Sequence, residues 1–262
     1  MKKICFYTVL LVFSFQTAGQ ELKKIAEYLI PEARQGVAVD QNYIYGIGTR
    51  QIAKYEKETG KYVQKWCENE NGPILHLDSG VIVEDKLYCA HSNYPDIPMT
   101  SSVEIWDTRK LQHVGSHSFG IYRGSCTWID RYRQCWWAVF AHYDKFQQRT
   151  GKNNRWTTLV QFNNEWQERQ SWVFPDSLLN YFRPMSNSGG SWGRDGYLYC
   201  TGHDSAVVYV LKLPDAGSVL KWVDTLSLDN RGQGLAWDRT HKSRLYWINR
   251  IKETVGCSVL FK

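Results

Sequence analysis

The sequence predicts an all-β protein built as a single five-bladed β-propeller, and two observations lead to that prediction. First, a short phrase occurs five times, in which a glycine begins a run of small and β-forming residues that ends at an acidic residue. The five acidic residues are Asp40, Glu84, Asp130, Asp195 and Asp238. Second, the intervals between them are 44, 46, 65 and 43 residues, and a period of this length is typical of repeated four-stranded blades.

Each blade is predicted to hold four strands in chain order, because apolar and polar residues alternate within several of its runs. The inner strands begin at Gly36, Gly80, Gly124, Gly189 and Gly234. The aromatic second strands are residues 43–46, 87–90, 135–138, 197–200 and 245–248. The outer strands are 51–55, 62–66, 102–106, 157–162, 167–172, 206–211 and 220–223. The acidic residue that closes each phrase is interpreted as a turn former.

The fifth blade is incomplete at its C-terminal end. Its third strand is predicted near residues 257–261, where the chain stops before a fourth strand. Residues 22–30, ahead of Pro31, are predicted to supply that strand and close the ring, which hides the edges of an open sheet. An eight-stranded barrel is the weaker alternative, because the sequence repeats in units of four strands. We expect one domain over residues 20–262.

Residues 1–19 are predicted to be a signal peptide. Lys2 and Lys3 precede an apolar run at 5–15, and Thr17-Ala18-Gly19 is a small-residue cleavage region. The run is too short to span a membrane, and no later segment is long and apolar enough to do so. We therefore expect an exported protein, periplasmic or extracellular. The alternative is a buried N-terminal strand.

Composition narrows the classes of partner. The net charge is +6, of which Lys2 and Lys3 contribute two, and no run of Lys and Arg stands out. This argues against nucleic-acid binding. Aromatic residues make up 15% of the chain, with 12 Trp and 16 Tyr, which suits both interlocking sheets and surfaces that stack on sugars. Trp136, Trp137 and Trp192 are predicted to pack between blades. We expect a monomer that binds a small molecule or an oligosaccharide.

Six cysteines remain beyond Cys5, and an even number in an exported chain permits disulfides. Cys126 and Cys135 flank one predicted hairpin turn and are the candidate pair. Cys89 and Cys200 take equivalent places in different blades, which favours small buried hydrophobic residues. The absence of a CxxC pair argues against structural zinc. Residues 143–156 and 174–188 are predicted to be loops, either beside a ligand site or on the mobile surface.

In a propeller, the loops that lead into the inner strands share one face with the loops between second and third strands, and a concave site is expected there. Four of the seven histidines fall in these loops. The candidate catalytic residues are His142, His203 and His91. The candidate ligand-binding residues are Arg34, Arg123, Arg231, His76, Arg50 and Arg250. The main acidic candidates on this face are Asp78, Asp144 and Asp204.

Three hypotheses compete for this face. In the first, arginines bind an anionic group while a histidine acts as acid or base, which suits β-elimination on a uronic acid. In the second, His91, His142 and His203 bind a metal ion. In the third, the polar residues satisfy strand ends or bind a ligand without catalysis. We favour the first, a lyase-like site without metal or cofactor. Hydrolysis by two flanking carboxylates is less favoured, because arginine and histidine dominate the face.

Two stretches carry a family resemblance. They are residues 188–199 followed by Gly202-His203-Asp204, and residues 232–238. With these motifs the chain resembles secreted bacterial β-propellers of the quinoprotein/lactonase-like group, which includes proteins described as cycloisomerase-like. The resemblance covers most of the mature chain at the level of the repeat. It implies the propeller fold and carries no catalytic residue set.

Overall fold

The computed structural model describes residues 20–241 and 243–261, and in them twenty strands form five four-stranded antiparallel sheets. The sheets are the blades of a five-bladed β-propeller, as predicted. The N-terminal strand is β1 (Glu21–Leu29). Blade one is β2 (Gly36–Val39), β3 (Tyr43–Gly48), β4 (Gln51–Glu56) and β5 (Tyr62–Cys67). Blade two is β6 (His76–Val83), β7 (Lys86–Ser92), β8 (Ser101–Asp107) and β9 (Gln112–Gly120).

The remaining blades continue the same order. Blade three is β10 (Ser125–Tyr132), β11 (Cys135–Ala141), β12 (Thr158–Phe162) and β13 (Glu168–Val173). Blade four is β14 (Gly189–Trp192), β15 (Leu198–Thr201), β16 (Val207–Lys212) and β17 (Lys221–Ser227). Blade five is β18 (Leu235–Trp237), β19 (Arg244–Asn249) and β20 (Thr254–Phe261), completed by β1.

The ring closes through the N-terminal strand. Strand β1 pairs antiparallel with β20, with Leu22 opposite Leu260 and Tyr28 opposite Val255. The predicted closure by residues 22–30 is therefore confirmed to within one residue at each end. It satisfies the backbone groups of β20 that would otherwise form an open edge.

The glycine that begins each inner strand has a packing reason in at least two blades. A Cβ atom on Gly36 would lie 2.6 Å from the Cα of Ser79 in the next blade. A Cβ on Gly234 would lie 2.5 Å from the Cα of Gly36. The inner strands approach each other so closely at the axis that only glycine fits at these positions.

Aromatic residues fill the space between blades. Trp137 of blade three and Trp192 of blade four lie with ring centroids 4.7 Å apart. Trp136 packs on Tyr88 of blade two at 4.5 Å. All three tryptophans predicted to pack between blades are buried there, in tilted arrangements that aromatic pairs favour.

The acidic residues that close the repeated phrase do not all share one role. Asp40 and Asp195 accept hydrogen bonds from the backbone of the turns that follow them, as predicted. Asp130 instead lies within β10, buried in an ion pair with Arg239. Asp238 is buried against Lys57 at 2.6 Å. For these two residues the interpretation as simple turn formers was incomplete, because each also supplies the carboxylate of a contact between blades.

The two predicted loops contain regular structure. Residues 143–156 include the short helix α1 (Gln147–Thr150) between two single 3-10 turns. Residues 174–188 include α2 (Asp176–Phe182). Leu178, Leu179 and Phe182 on α2 are buried in the core shared by blades three and four. The helical apolar spacing of these three residues is too short to stand out between the alternating patterns of the neighbouring strands.

All six cysteines of the described residues are free thiols. Cys126 lies opposite Phe140, and Cys135 lies opposite Tyr132, so the two are at opposite ends of one hairpin. The candidate disulfide between them is therefore not formed. Cys89 and Cys200 are buried, as expected for small hydrophobic residues. The predicted signal peptide lies outside the described residues. Among those described, no helix has the length and apolar character needed to cross a membrane.

A candidate axial pocket

A small cavity of about 100 Å³ opens at the axis, on the face where the inner strands begin. Every blade contributes to its wall. The lining residues are Gln35, His76, Asp78, Tyr94, Thr127, Tyr143, Met185, Ser188, His203, Gln233 and Arg250. They come from the loops and strand ends that the repeat placed on one face.

A simple rule of register explains three of these residues. Gln35, Ser188 and Gln233 each directly precede the glycine that begins an inner strand. The glycine lets the strands approach at the axis, and the preceding side chain then projects over the opening.

Blades two and three break that rule through irregularities in the inner strand. In β6 the register shifts between Leu77 and Gly80, so Asp78 and Ser79 together face one residue of β7. In β10 the register shifts between Cys126 and Trp128, which leaves Thr127 as the extra residue. Such bulges re-aim a side chain locally. They bring Asp78 and Thr127 into the cavity wall.

Three of the predicted site residues line the cavity: His76, His203 and Arg250. The other six lie outside it: His91, His142, Arg34, Arg50, Arg123 and Arg231. The cavity thus opens on the face to which the repeat assigns these residues, while local hydrogen bonds and ion pairs decide which side chains reach the axis.

His91 is held inside blade two. Its Nε2 accepts a hydrogen bond from the backbone N–H of Leu75 at 3.0 Å, and its Nδ1 lies 2.8 Å from the Ser102 hydroxyl. Ser102 in turn donates to the buried carboxylate of Glu104. Both ring nitrogens are thus occupied by the blade itself, and the imidazole serves the sheet rather than the cavity.

His142 is buried beneath the loop that leads into blade three. A Cβ on Gly124 would lie 2.9 Å from its Nε2, and its backbone N–H donates to Thr157. Burial lowers the pKa of this imidazole to about 4. His91, His142 and His203 do not converge, and within the described ranges no group of three His, Cys, Asp or Glu side chains is arranged to hold a metal ion.

The four arginines outside the cavity have other environments. Arg34 pairs with Glu253 at 3.1 Å. Arg123 pairs with Glu168 at 2.8 Å and lies over the Phe140 ring. The remaining two arginines lie in loops. Arg50, between β3 and β4, donates to the backbone carbonyls of Asn69 and Glu70, and Arg231, in the loop before β18, is exposed.

On one side of the cavity, His203, Asp204 and Arg250 form a connected group. His203 Nδ1 lies 2.8 Å from Asp204 Oδ2. Arg250 donates to the His203 carbonyl at 2.9 Å and also to the Asp204 carboxylate. One guanidinium nitrogen lies 3.3 Å from His203 Nε2 and another 3.2 Å from Nδ1, so the guanidinium lies alongside the ring. This arrangement fixes the imidazole and the guanidinium relative to each other.

On the other side, His76 and Asp78 lie together at the end of β6. His76 Nε2 is 3.7 Å from Asp78 Oδ2, and its ring packs 5.0 Å from that of Tyr94. Burial lowers the pKa of His76 to about 4, and the nearby His91 adds to this. Burial also raises the pKa of the Asp78 carboxyl well above its ordinary value. Burial therefore disfavours the charged form of both groups.

Two tyrosines complete the wall. Tyr94 and Tyr143 lie with ring centroids 5.3 Å apart. The Tyr94 hydroxyl accepts a hydrogen bond from the ammonium of Lys145. Burial, together with the nearby Asp78, raises the pKa of Tyr143. The sequence marked His76, Asp78 and Arg250 through the repeat, but Thr127 and Met185 carried no signal that would have placed them here.

Comparison with known proteins shows a similarity of fold only. No family model matches the chain, and no curated protein matches it in sequence. Among solved structures, the PQQ-bound aldose sugar dehydrogenase from Streptomyces coelicolor matches with a TM-score of 0.54 at 10% identity, over 93% of this chain and 99% of that one. Hydrazine synthase from Kuenenia stuttgartiensis matches with a TM-score of 0.52 at 9% identity, over 85% of this chain and 82% of that one. These likenesses support the β-propeller architecture alone.

Proposed function

We propose that the axial pocket binds a terminal group of a saccharide and transfers protons to and from it. The observation that carries the proposal is the meeting, in one cavity, of an uncharged imidazole and a buried carboxyl with a guanidinium from another blade. Acid, base and anion-binding group are the elements that the sequence hypothesis required, with His76 and Asp78 now in place of His142 and His91.

The size of the cavity limits what enters it. Pockets that enclose a drug-sized ligand have volumes of roughly 300–1,000 Å³, whereas this one has about 100 Å³. Only one functional group of a larger ligand fits, with the rest of the molecule lying across the face. PQQ, bound by the sugar dehydrogenase of similar fold, is not carried over to this chain, because the cavity is too small to enclose it.

Arg250 is the group suited to a ligand carboxylate. Its partner Asp204 is 71% exposed, so solvent and ligand can reach this ion pair. A guanidinium has five N–H donors in a fixed fork, so it can bind a second carboxylate or exchange Asp204 for one. A uronic acid at the end of an oligosaccharide meets this requirement, and its hydroxyl groups suit Gln35, Gln233 and Ser188.

The chemistry that follows is β-elimination. His76, neutral at physiological pH, takes the proton next to the ligand carboxylate. The C–H electron pair forms the new C=C bond as the C–O bond to the leaving sugar breaks, and Asp78 gives its proton to the leaving oxygen. His76 is then charged and Asp78 ionised, 3.7 Å apart. The proton returns between them, directly or through one water, and both groups are reset.

A second function, binding without catalysis, is favoured by one specific observation. General bases work best when their pKa lies near the working pH, and the pKa of His76 is lowered to about 4. At that pKa the imidazole is a weak base and a good hydrogen-bond acceptor. The same pocket is then a recognition site for a saccharide end.

Variants of the two proposed groups separate these functions. Polygalacturonate, alginate and hyaluronan would be incubated with the protein, and unsaturated product followed by its ultraviolet absorbance. We expect turnover that falls by about 10²-fold or more in His76→Gln and in Asp78→Asn, with folding retained. His113→Gln, on β9 and outside the cavity, is the matched control. Binding without product supports the recognition function. If there is no binding and no product, both proposed functions are wrong.

We also propose that the protein is exported after removal of residues 1–19. The basic start, the apolar run and the small residues before Gln20 support this. Mass spectrometry of the mature protein from the extracellular or periplasmic fraction should give Gln20 as the first residue. An intact N-terminus in the cytoplasm would contradict it.

A further inference from the structure

A larger cleft lies at the seam where blade five meets blade one. It has a volume of about 480 Å³ and shares no lining residue with the axial pocket. Its walls come from the closing strand β1, from the turns that follow β2 and β4, and from β19. We call it the seam cleft. Its volume falls within the range of pockets that enclose small molecules, roughly 300–1,000 Å³.

Three tyrosines line the seam cleft: Tyr28 and Tyr43, which are partly exposed, and Tyr246, which is buried. Tyr43 is fixed in place, because the ammonium of Lys54 lies 3.8 Å from its ring centroid. Tyr28 packs against Gly60, where a Cβ would lie 3.0 Å from the tyrosine ring. Aromatic rings held in this way present an apolar face beside a polar hydroxyl, which matches the alternating C–H and O–H groups of a sugar.

Charges of both signs line the same cleft. Glu56 and Glu58 lie on one wall, and Arg244 lies on another. Lys57 also contributes, but it is buried against Asp238 at 2.6 Å and its charge is offset there. The carboxylates disfavour an anionic ligand and the arginine disfavours a cationic one. The carboxylates can accept hydrogen bonds from hydroxyl groups of a ligand, and the arginine can donate to them. The side-chain amides of Gln41 and Asn42 can do both.

We propose that the seam cleft is a second ligand site, which binds a neutral saccharide. The rings of Tyr28 and Tyr43 would pack against its apolar faces, while Glu56, Glu58 and Arg244 would bind its hydroxyls. The inference is independent of the function proposed for the axial pocket. Because the ligand touches both β1 and blade one, binding also holds the ring closed and raises the stability of the folded protein.

The test uses a fixed panel of neutral tetrasaccharides: maltotetraose, cellotetraose, xylotetraose, mannotetraose and chitotetraose. Binding is measured by isothermal titration calorimetry on the full mature chain. We expect at least one member to bind, with affinity reduced by about tenfold or more in Tyr43→Ala and in Glu58→Gln, which is the loss of one good contact. Glu58 is exposed, so its replacement leaves the fold intact.

Two controls make the result decisive. Tyr122→Ala removes a tyrosine that is 84% exposed and lies outside the cleft, and His76→Gln alters the axial pocket; neither should change the affinity. No binding by any member of the panel at millimolar concentration overturns the proposal. Binding that survives both cleft variants, or that is lost only in His76→Gln, overturns it as well. In the assay for unsaturated product, a result that contradicts the function of the axial pocket leaves the proposal for the seam cleft unaffected.

Discussion

Asp130 of blade three and Arg239 of blade five form an ion pair across the intervening blade. The Arg239 guanidinium lies 2.8 Å and 2.6 Å from the two carboxylate oxygens. The carboxylate also accepts from the Ser191 hydroxyl and the Trp192 backbone N–H of blade four. One carboxylate therefore joins three blades, and its side chain is only 2% exposed.

Removing that carboxylate should destabilise the ring. In Asp130→Ala the guanidinium of Arg239 loses its partner in a mostly buried position, and the loss of one member of a buried pair costs about 3 kcal/mol or more. Urea unfolding of the two proteins measures the difference. Asp215→Asn is the control, because its pair with Lys221 is exposed and should contribute nothing measurable. Equal stability of Asp130→Ala and wild type would show that the contact between blades is not stabilising.

The glycines at the axis should tolerate no side chain. Gly234→Ala places a methyl group 2.5 Å from the Cα of Gly36, and backbone on both sides must move. Overpacking costs about 1–3 kcal/mol, and we expect the upper end of that range because the contact is with backbone. Gly115→Ala is the matched control, since its Cβ would meet Ile105 at an ordinary 3.6 Å. Unfolding midpoints in urea decide between them; similar midpoints would contradict the packing explanation of the repeat.

The repeat explains why the fold was readable from sequence. A glycine required by close approach recurs at the same place in several blades, so it leaves a period that needs no alignment to detect. Closure by β1 could also be predicted. The fifth blade lacks a fourth strand in the sequence that follows it, and an additional strand precedes the first blade. The helix α2 was not readable, since it interrupts the period with only one turn and a half of apolar spacing.

Only part of the candidate site in the axial pocket could be predicted from the sequence. The period assigns His76, His203 and Arg250 to one face, but it assigns His91 and His142 to the same face by the same logic. What separates them is local: the Leu75 N–H occupies His91, and Gly124 covers His142. A bulge adds one residue to a strand without a marker in the sequence, so the sequence does not predict that Asp78 and Thr127 line the cavity.

Asp78→Asn should stabilise the protein at neutral pH. Burial raises the pKa of Asp78 above its ordinary value of 3.8, so the folded carboxyl stays protonated where the unfolded one is ionised. The stability that depends on this protonated carboxyl is fully present below pH 3.8 and is lost as the pH rises towards the pKa of the folded state. The amide of Asn cannot ionise and avoids this loss. Unfolding free energies measured from pH 4 to pH 7 should show a gap in favour of the variant that widens with pH.

A gap that stays constant with pH, or that favours wild type at pH 7, would show that Asp78 is ionised and stabilised by a partner. Asp96→Asn, on the loop after β7 and outside the cavity, controls for the change of charge. Loss of activity in a variant that gains stability would mark Asp78 as a residue kept for function, since functional groups are often held at the expense of stability.

Acid should destabilise the protein through two histidines. Burial lowers the pKa of His76 and of His142 from 6.5 to about 4, so the unfolded chain binds protons in that window and the folded chain does not. The stability present above pH 6.5 is lost as pH falls towards 4, at about 1.4 kcal/mol for each unit of pKa difference.

His142→Asn should flatten this part of the stability curve while leaving ligand binding in the axial pocket unchanged. His76→Asn should flatten it equally and also weaken binding, because only His76 lines the cavity. Urea unfolding at pH 5 and pH 7, with saccharide titrations at pH 7, measures both effects; a curve as steep in both variants as in wild type would mean that neither imidazole is buried neutral.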